Sequence, residues 1–190
     1  MGDLDSALAA VDDWPVPTAA AAVVGPDGVL ATRGPVDHLF RLASVTKPLA
    51  ALAVLVAVEE EALSLDDPAD ERLVPGATVR HLLAHASGLA PERPLRSFPP
   101  ATRRVYSNVG IERAADLVAA ATGMTFASYL DESLEPLGLT ATTLPGSPAR
   151  DGVSSVADLA RVCHELLAPT GLLAASTLED LRTVQWPGLR

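Results

Sequence analysis

Ser44-Val45-Thr46-Lys47 sets a hydroxyl and an amine three residues apart, in a chain whose thirteen other basic residues are all arginine. On a helix, a three-residue step is about 300° of rotation and about 4.5 Å of rise, so the two side chains share one face, one turn apart. A serine hydroxyl is a weak nucleophile until a neighbour takes its proton, and a neutral amine can do so. Burial disfavours the ammonium form. The eleven residues from Pro48 to Val58 are all apolar, which predicts a helix buried on every side. The positive end of that helix favours a neutral amine and a developing oxyanion alike. Pro48 keeps the helix from beginning far upstream of residue 44. Ser-x-x-Lys also arises by chance, as a helix cap followed by a surface lysine.

A second constellation, Val105-Tyr106-Ser107-Asn108-Val109-Gly110, falls where a loop meets a helix. Tyr106 is a partner for proton transfer. A nearby ammonium lowers a phenol, and two groups sharing one proton titrate as a pair, so Lys47 and Tyr106 both stand as the general base. Asn108 offers donor and acceptor to a substrate amide or to Lys47. The plainer alternative makes Asn108 a helix cap and Tyr106 a packing residue. His81 and His85 sit i, i+4 before Ser87-Gly88. No third group is spaced to orient a histidine base, so this stretch reads as a short helix and its stop.

The elements around these residues are mainly helical. Apolar spacing predicts helices over 3–14, 49–62, 78–85, 108–122, 126–134, 156–167 and 178–184. Ser155 with Asp158 and Ser176 with Glu179 resemble capping boxes. Residues 19–24 and 29–32 flank Gly25-Pro26-Asp27-Gly28 and predict a β-hairpin. A lone hairpin is marginal in water, yet the only later strand remnant is 140–144. The hairpin nevertheless argues against an all-α scaffold.

Length and composition bound the function. One domain of 190 residues, 48% hydrophobic, argues against disorder. A net charge of −10 argues against nucleic acid or anionic membrane as partner. One cysteine, Cys163, excludes an internal disulfide, and with His164 it completes no metal set; it reads as packed inside a helix. The N-terminal stretch lacks a basic region followed by a long apolar one, and the longest apolar run is too short to span a bilayer. A cytoplasmic location is the expectation.

Ser44 to Lys47, Leu65-Asp66-Asp67-Pro68, His81 to Leu89, Tyr106 to Gly110 and Glu135-Pro136-Leu137-Gly138-Leu139 occur in the order seen in serine β-lactamase-like hydrolases. The chain resembles the branch containing class C β-lactamases, D-alanyl-D-alanine carboxypeptidases and related esterases, from about Asp37 to about Val184. The resemblance implies an α+β fold of the β-lactamase/transpeptidase type, with an antiparallel sheet beside a helical subdomain spanning approximately 62–150. It implies acyl transfer through Ser44, with Lys47 and Tyr106 handling the proton, Asn108 in the substrate cleft, the Ser44 N–H as one oxyanion donor, and no cofactor. Substrates would be small esters, amides or β-lactams.

The family's third motif, Lys-Thr-Gly or His-x-Gly on a late strand, does not occur in this sequence. That strand normally supplies the second oxyanion donor. The expectation is therefore a single domain over 1–190, truncated at its C-terminus with an incomplete sheet. Alone it would be a weak hydrolase, or one completed by a second chain supplying strands. The alternative is a non-catalytic relative serving as a ligand-binding or protein-interaction module.

Overall fold

The computed structural model describes residues 2–189. The chain opens with helix α1 (Gly2–Leu8) and a 3-10 turn (Ala9–Asp13), then the hairpin β1 (Ala21–Gly25) and β2 (Gly28–Arg33). Gly25 pairs with Gly28 and Val24 with Val29, with a bulge between Val23 and Val24. Gly28 takes φ +113°, a conformation glycine adopts without steric cost. An Asp12–Arg33 ion pair ties the first turn to β2.

A second antiparallel pair joins β3 (Phe40–Arg41) to β4 (Val153–Ser154), through Phe40 opposite Ser154 and Arg41 opposite Val153. Neither strand was predicted. Two residues are too short for a periodic signal, and the pairing spans more than a hundred positions of sequence. The expected remnant at 140–144 reduces to one bridge, Thr143 opposite Val153. Among the described residues the sheet thus consists of two separate two-stranded pieces.

Helix α2 (Thr46–Glu59) runs through the interior. Leu49, Ala50, Leu52, Ala53, Val54 and Ala57 are each at most 2% exposed, as an apolar helix with no polar face requires. It packs against α4 (Asn108–Thr122) and α5 (Phe126–Ser133), and α3 (Val79–Leu83) packs against α4. Ser107 caps α4 by accepting the Gly110 N–H, and Gly123 ends it at φ +71°. The cap is therefore Ser107, not Asn108. Thr125 caps α5 through the Ser128 N–H.

Helix α6 (Val156–Leu167) covers β1. Ser155 caps it, but Asp158 does not close a capping box. Its buried carboxylate accepts instead from the Ala141 N–H (2.8 Å) and the Thr142 hydroxyl (2.9 Å), and pairs with Arg161. Cys163 lies within α6 but on its exposed side. Helix α7 (Ala175–Arg182) starts at an Ala174 cap that makes no side-chain bond, so the predicted Ser176 box is not used. Arg80 of α3 holds α7 through Asp180 (2.5 Å). No helix among the described residues is long and apolar enough to cross a membrane.

Candidate active site

The site grows from a strained turn. Ser44 lies in a 3-10 turn (Ala43–Val45) that runs directly into α2. Ala43, immediately before it, takes φ +45°, a left-handed conformation that costs an alanine free energy. Thr46 fixes the turn from within. Its hydroxyl donates to the Ala43 carbonyl (2.7 Å) and accepts the Gly152 N–H (2.9 Å). Gly152 in turn accepts the Leu42 N–H (2.8 Å). A Cβ on Gly152 would stand 2.8 Å from the Thr46 hydroxyl, so the loop approaches as closely as it does because that residue is glycine.

Lys47 is 6% exposed. Its Nζ donates to Ser44 Oγ (3.1 Å) and to the Ala149 carbonyl (2.8 Å), and lies 4.5 Å from the centre of the Tyr106 ring. Ser44, Lys47 and Tyr106 are therefore together. The pocket is not dry throughout, as burial of the whole set would require. Ser44 is exposed and Tyr106 is 52% exposed, while the amine alone is buried. Burial acts to raise the Tyr106 phenol, but hydrogen bonding to Lys47 and Ser44 and the Lys47 charge outweigh it, so the phenol sits below its ordinary value.

Asn108 is placed differently from expectation. Its amide N–H donates to Glu92 Oε1 (2.6 Å) rather than engaging Lys47 or Ser44, and its backbone N–H donates to the Pro91 carbonyl. The other oxygen of Glu92 pairs with Arg150 (2.8 Å). The buried Asn108 Oδ1 has no partner. A buried acceptor left unpaired is costly.

The two histidines diverge. His81 Nδ1 accepts the Thr78 N–H (3.2 Å), and its ring stacks on Trp186 at 4.1 Å. Burial, then the Arg80 charge, lowers its pKa. It is structural, as expected. His85 instead contacts Tyr106, with ring centres 4.7 Å apart. The sequence did not single out Thr46, Glu92, Ala149 and Gly152, and it assigned His85 to a helix stop. Ala149 acts through a backbone carbonyl, which any residue possesses.

The β-lactamase family profile matches residues 7–190. The chain belongs to the β-lactamase family. A β-lactamase crystal structure from Mycobacterium bovis is 50% identical to it, with a TM-score of 0.92 over 96% of this chain and 67% of that one. Esterase EstB of Burkholderia gladioli is 41% identical over 92 residues, 43% of this chain and 22% of EstB. The D-alanyl-D-alanine-carboxypeptidase/endopeptidase AmpH of Escherichia coli K12 is 26% identical over 175 residues, 73% of this chain and 46% of AmpH. The chain thus spans less than half the length of these two curated relatives. The α+β arrangement, with helices beside small antiparallel sheets, is that of the β-lactamase fold.

Proposed function

We propose that this protein is a serine hydrolase that forms an acyl-enzyme at Ser44, acting on a small ester, amide or β-lactam. One observation carries the reading: a buried lysine amine 3.1 Å from the Ser44 hydroxyl, beneath the Tyr106 ring. The esterase, carboxypeptidase and β-lactamase names of its relatives agree with it.

In the first step, Ser44 Oγ attacks the carbonyl carbon while its proton passes to the Lys47–Tyr106 pair. Hydrogen bonding to Lys47 and Ser44 and the Lys47 charge lower the Tyr106 phenol, which favours sharing of the proton, and that proton belongs to the pair. The Ser44 N–H, at the start of α2, faces the developing oxyanion. The pair then returns the proton to the leaving group, and an activated water releases the acyl group. Asn108, its amide N–H held by Glu92, would border the substrate cleft, as the resemblance implies. The helical elements of approximately 62–150 form one wall of the cleft.

The absence of Lys-Thr-Gly and His-x-Gly leaves the second oxyanion donor without a residue to supply it. Loss of one such donor typically costs about 10²- to 10³-fold in rate. Turnover of nitrocefin and p-nitrophenyl esters by these 190 residues alone should therefore be slow, rising if strands from further polypeptide complete the cleft. The second reading is a ligand-binding or interaction module without turnover.

Mass spectrometry after treatment with a fluorophosphonate or a penicillin separates the two. An adduct at Ser44, lost in Ser44→Ala, is expected. No adduct at any serine would remove the hydrolase reading and leave the binding module.

A further inference from the structure

Tyr106 needs a support, because more than half of its surface faces solvent. His85 provides one from three directions. Its carbonyl accepts the Val105 N–H (2.9 Å). Its Nδ1 accepts the Ser107 N–H (3.2 Å). Its ring lies against the Tyr106 ring at 4.7 Å, tilted by 44°. A single residue therefore grips the residue before Tyr106, the residue after it and the phenol itself. His85 holds φ +56° to do this, a conformation uncommon for a non-glycine residue, and it occupies no position on the proton path from Ser44.

We propose that His85 is a positioning residue for Tyr106, a neutral imidazole that clamps the 105–107 backbone and sets the phenol over Lys47. The inference rests on the acyl-transfer reading for its catalytic meaning, but the clamp itself can be read without activity. Nδ1 can accept the Ser107 N–H only while it carries no proton. The Tyr106 ring and the Ser107 amide contact the imidazole, and the charges that act on it are those of Lys47 and Arg104. Burial first, then the Lys47 and Arg104 charges, push His85 down to about 4. The clamp stays closed across the neutral range and opens in acid.

Two substitutions separate its parts. His85→Asn keeps an acceptor at the position of Nδ1, and asparagine tolerates the left-handed backbone. His85→Phe keeps a ring against Tyr106 but removes the acceptor. The chain has two tyrosines, so ring-labelled tyrosine gives two Cζ signals in a carbon NMR titration. Tyr129 donates to Glu60 and is held well above the ordinary phenol range, making it a silent internal control.

The wild-type Tyr106 signal should titrate below an ordinary phenol. It should remain there in His85→Asn and move upward in His85→Phe. Fluorophosphonate labelling of Ser44 should slow by about 10²-fold in His85→Phe, the scale of an ångström-level misplacement, and stay near wild type in His85→Asn. An unchanged Tyr106 midpoint in folded His85→Phe overturns the proposal. If that variant does not fold, the wild type decides: the Ser107 amide signal must shift together with the His85 ring as pH falls, and a Ser107 signal that ignores it overturns the clamp. A wild-type protein never labelled at Ser44, yet showing the Tyr106 and Ser107 shifts, would sink the hydrolase reading while the clamp stands.

Discussion

A half-buried histidine under the influence of two cations makes stability depend on pH in one direction. The unfolded His85 takes up a proton near 6.5, the folded one only near 4. Its contribution to stability is fully present above the unfolded value and is lost as pH falls from 6.5 through 4. Allowing for partial exposure, the loss is on the order of 2 kcal/mol. Urea midpoints compared at pH 7 and pH 4.5 should drop further in the wild type than in His85→Asn; equal drops would refute the assignment. At this scale the sequence was readable wherever chemistry resides in a side-chain type at short spacing. Ser44 and Lys47 stand one helical turn apart, as their spacing required. The Asn108–Glu92 pairing was not legible, because a sixteen-residue loop path carries no periodicity that pairs its ends.

Among the elements, the long amphipathic or wholly apolar segments were legible and the short ones were not. Helices α4 and α6 occupy the predicted ranges 108–122 and 156–167. Helix α2 begins at Thr46 rather than residue 49, since Pro48 is tolerated within a first turn where its missing N–H is not needed. The strand pair β3–β4 and the 149–152 loop were not legible because their partners lie about a hundred positions away in sequence. That loop invites an element-scale test. In Gly152→Ala the new methyl would fall 2.8 Å from the Thr46 hydroxyl and 3.0 Å from its methyl. Thr46 must rotate away, releasing both of its hydrogen bonds. We expect about 1–3 kcal/mol of destabilisation in urea, with slower Ser44 labelling as the Ala149 carbonyl draws back from Lys47. A variant with wild-type labelling would show that the loop does not set the amine.

Over the whole molecule, order is unevenly distributed. The helices α2, α4 and α5 share one apolar core, whereas the hairpin is a two-stranded piece leaning on α6 and α1. Two strands alone are marginal, so hairpin amides on the unpaired edges should exchange within the earliest hydrogen-exchange points, and α2 amides should be among the last. Uniform protection would mean that the hairpin derives its stability from the same cooperative unit as the core. The staples at the Ser44 turn carry a further implication. Lys47 meets Ala149 across 102 positions and Thr46 meets Gly152 across 106. A ribosome must therefore deliver the chain beyond residue 152 before the Ser44 turn can be held in this geometry. If the acyl-enzyme reading holds, nascent chains stalled earlier would carry the serine and the lysine yet resist fluorophosphonate, and they should gain labelling only once residue 152 has emerged.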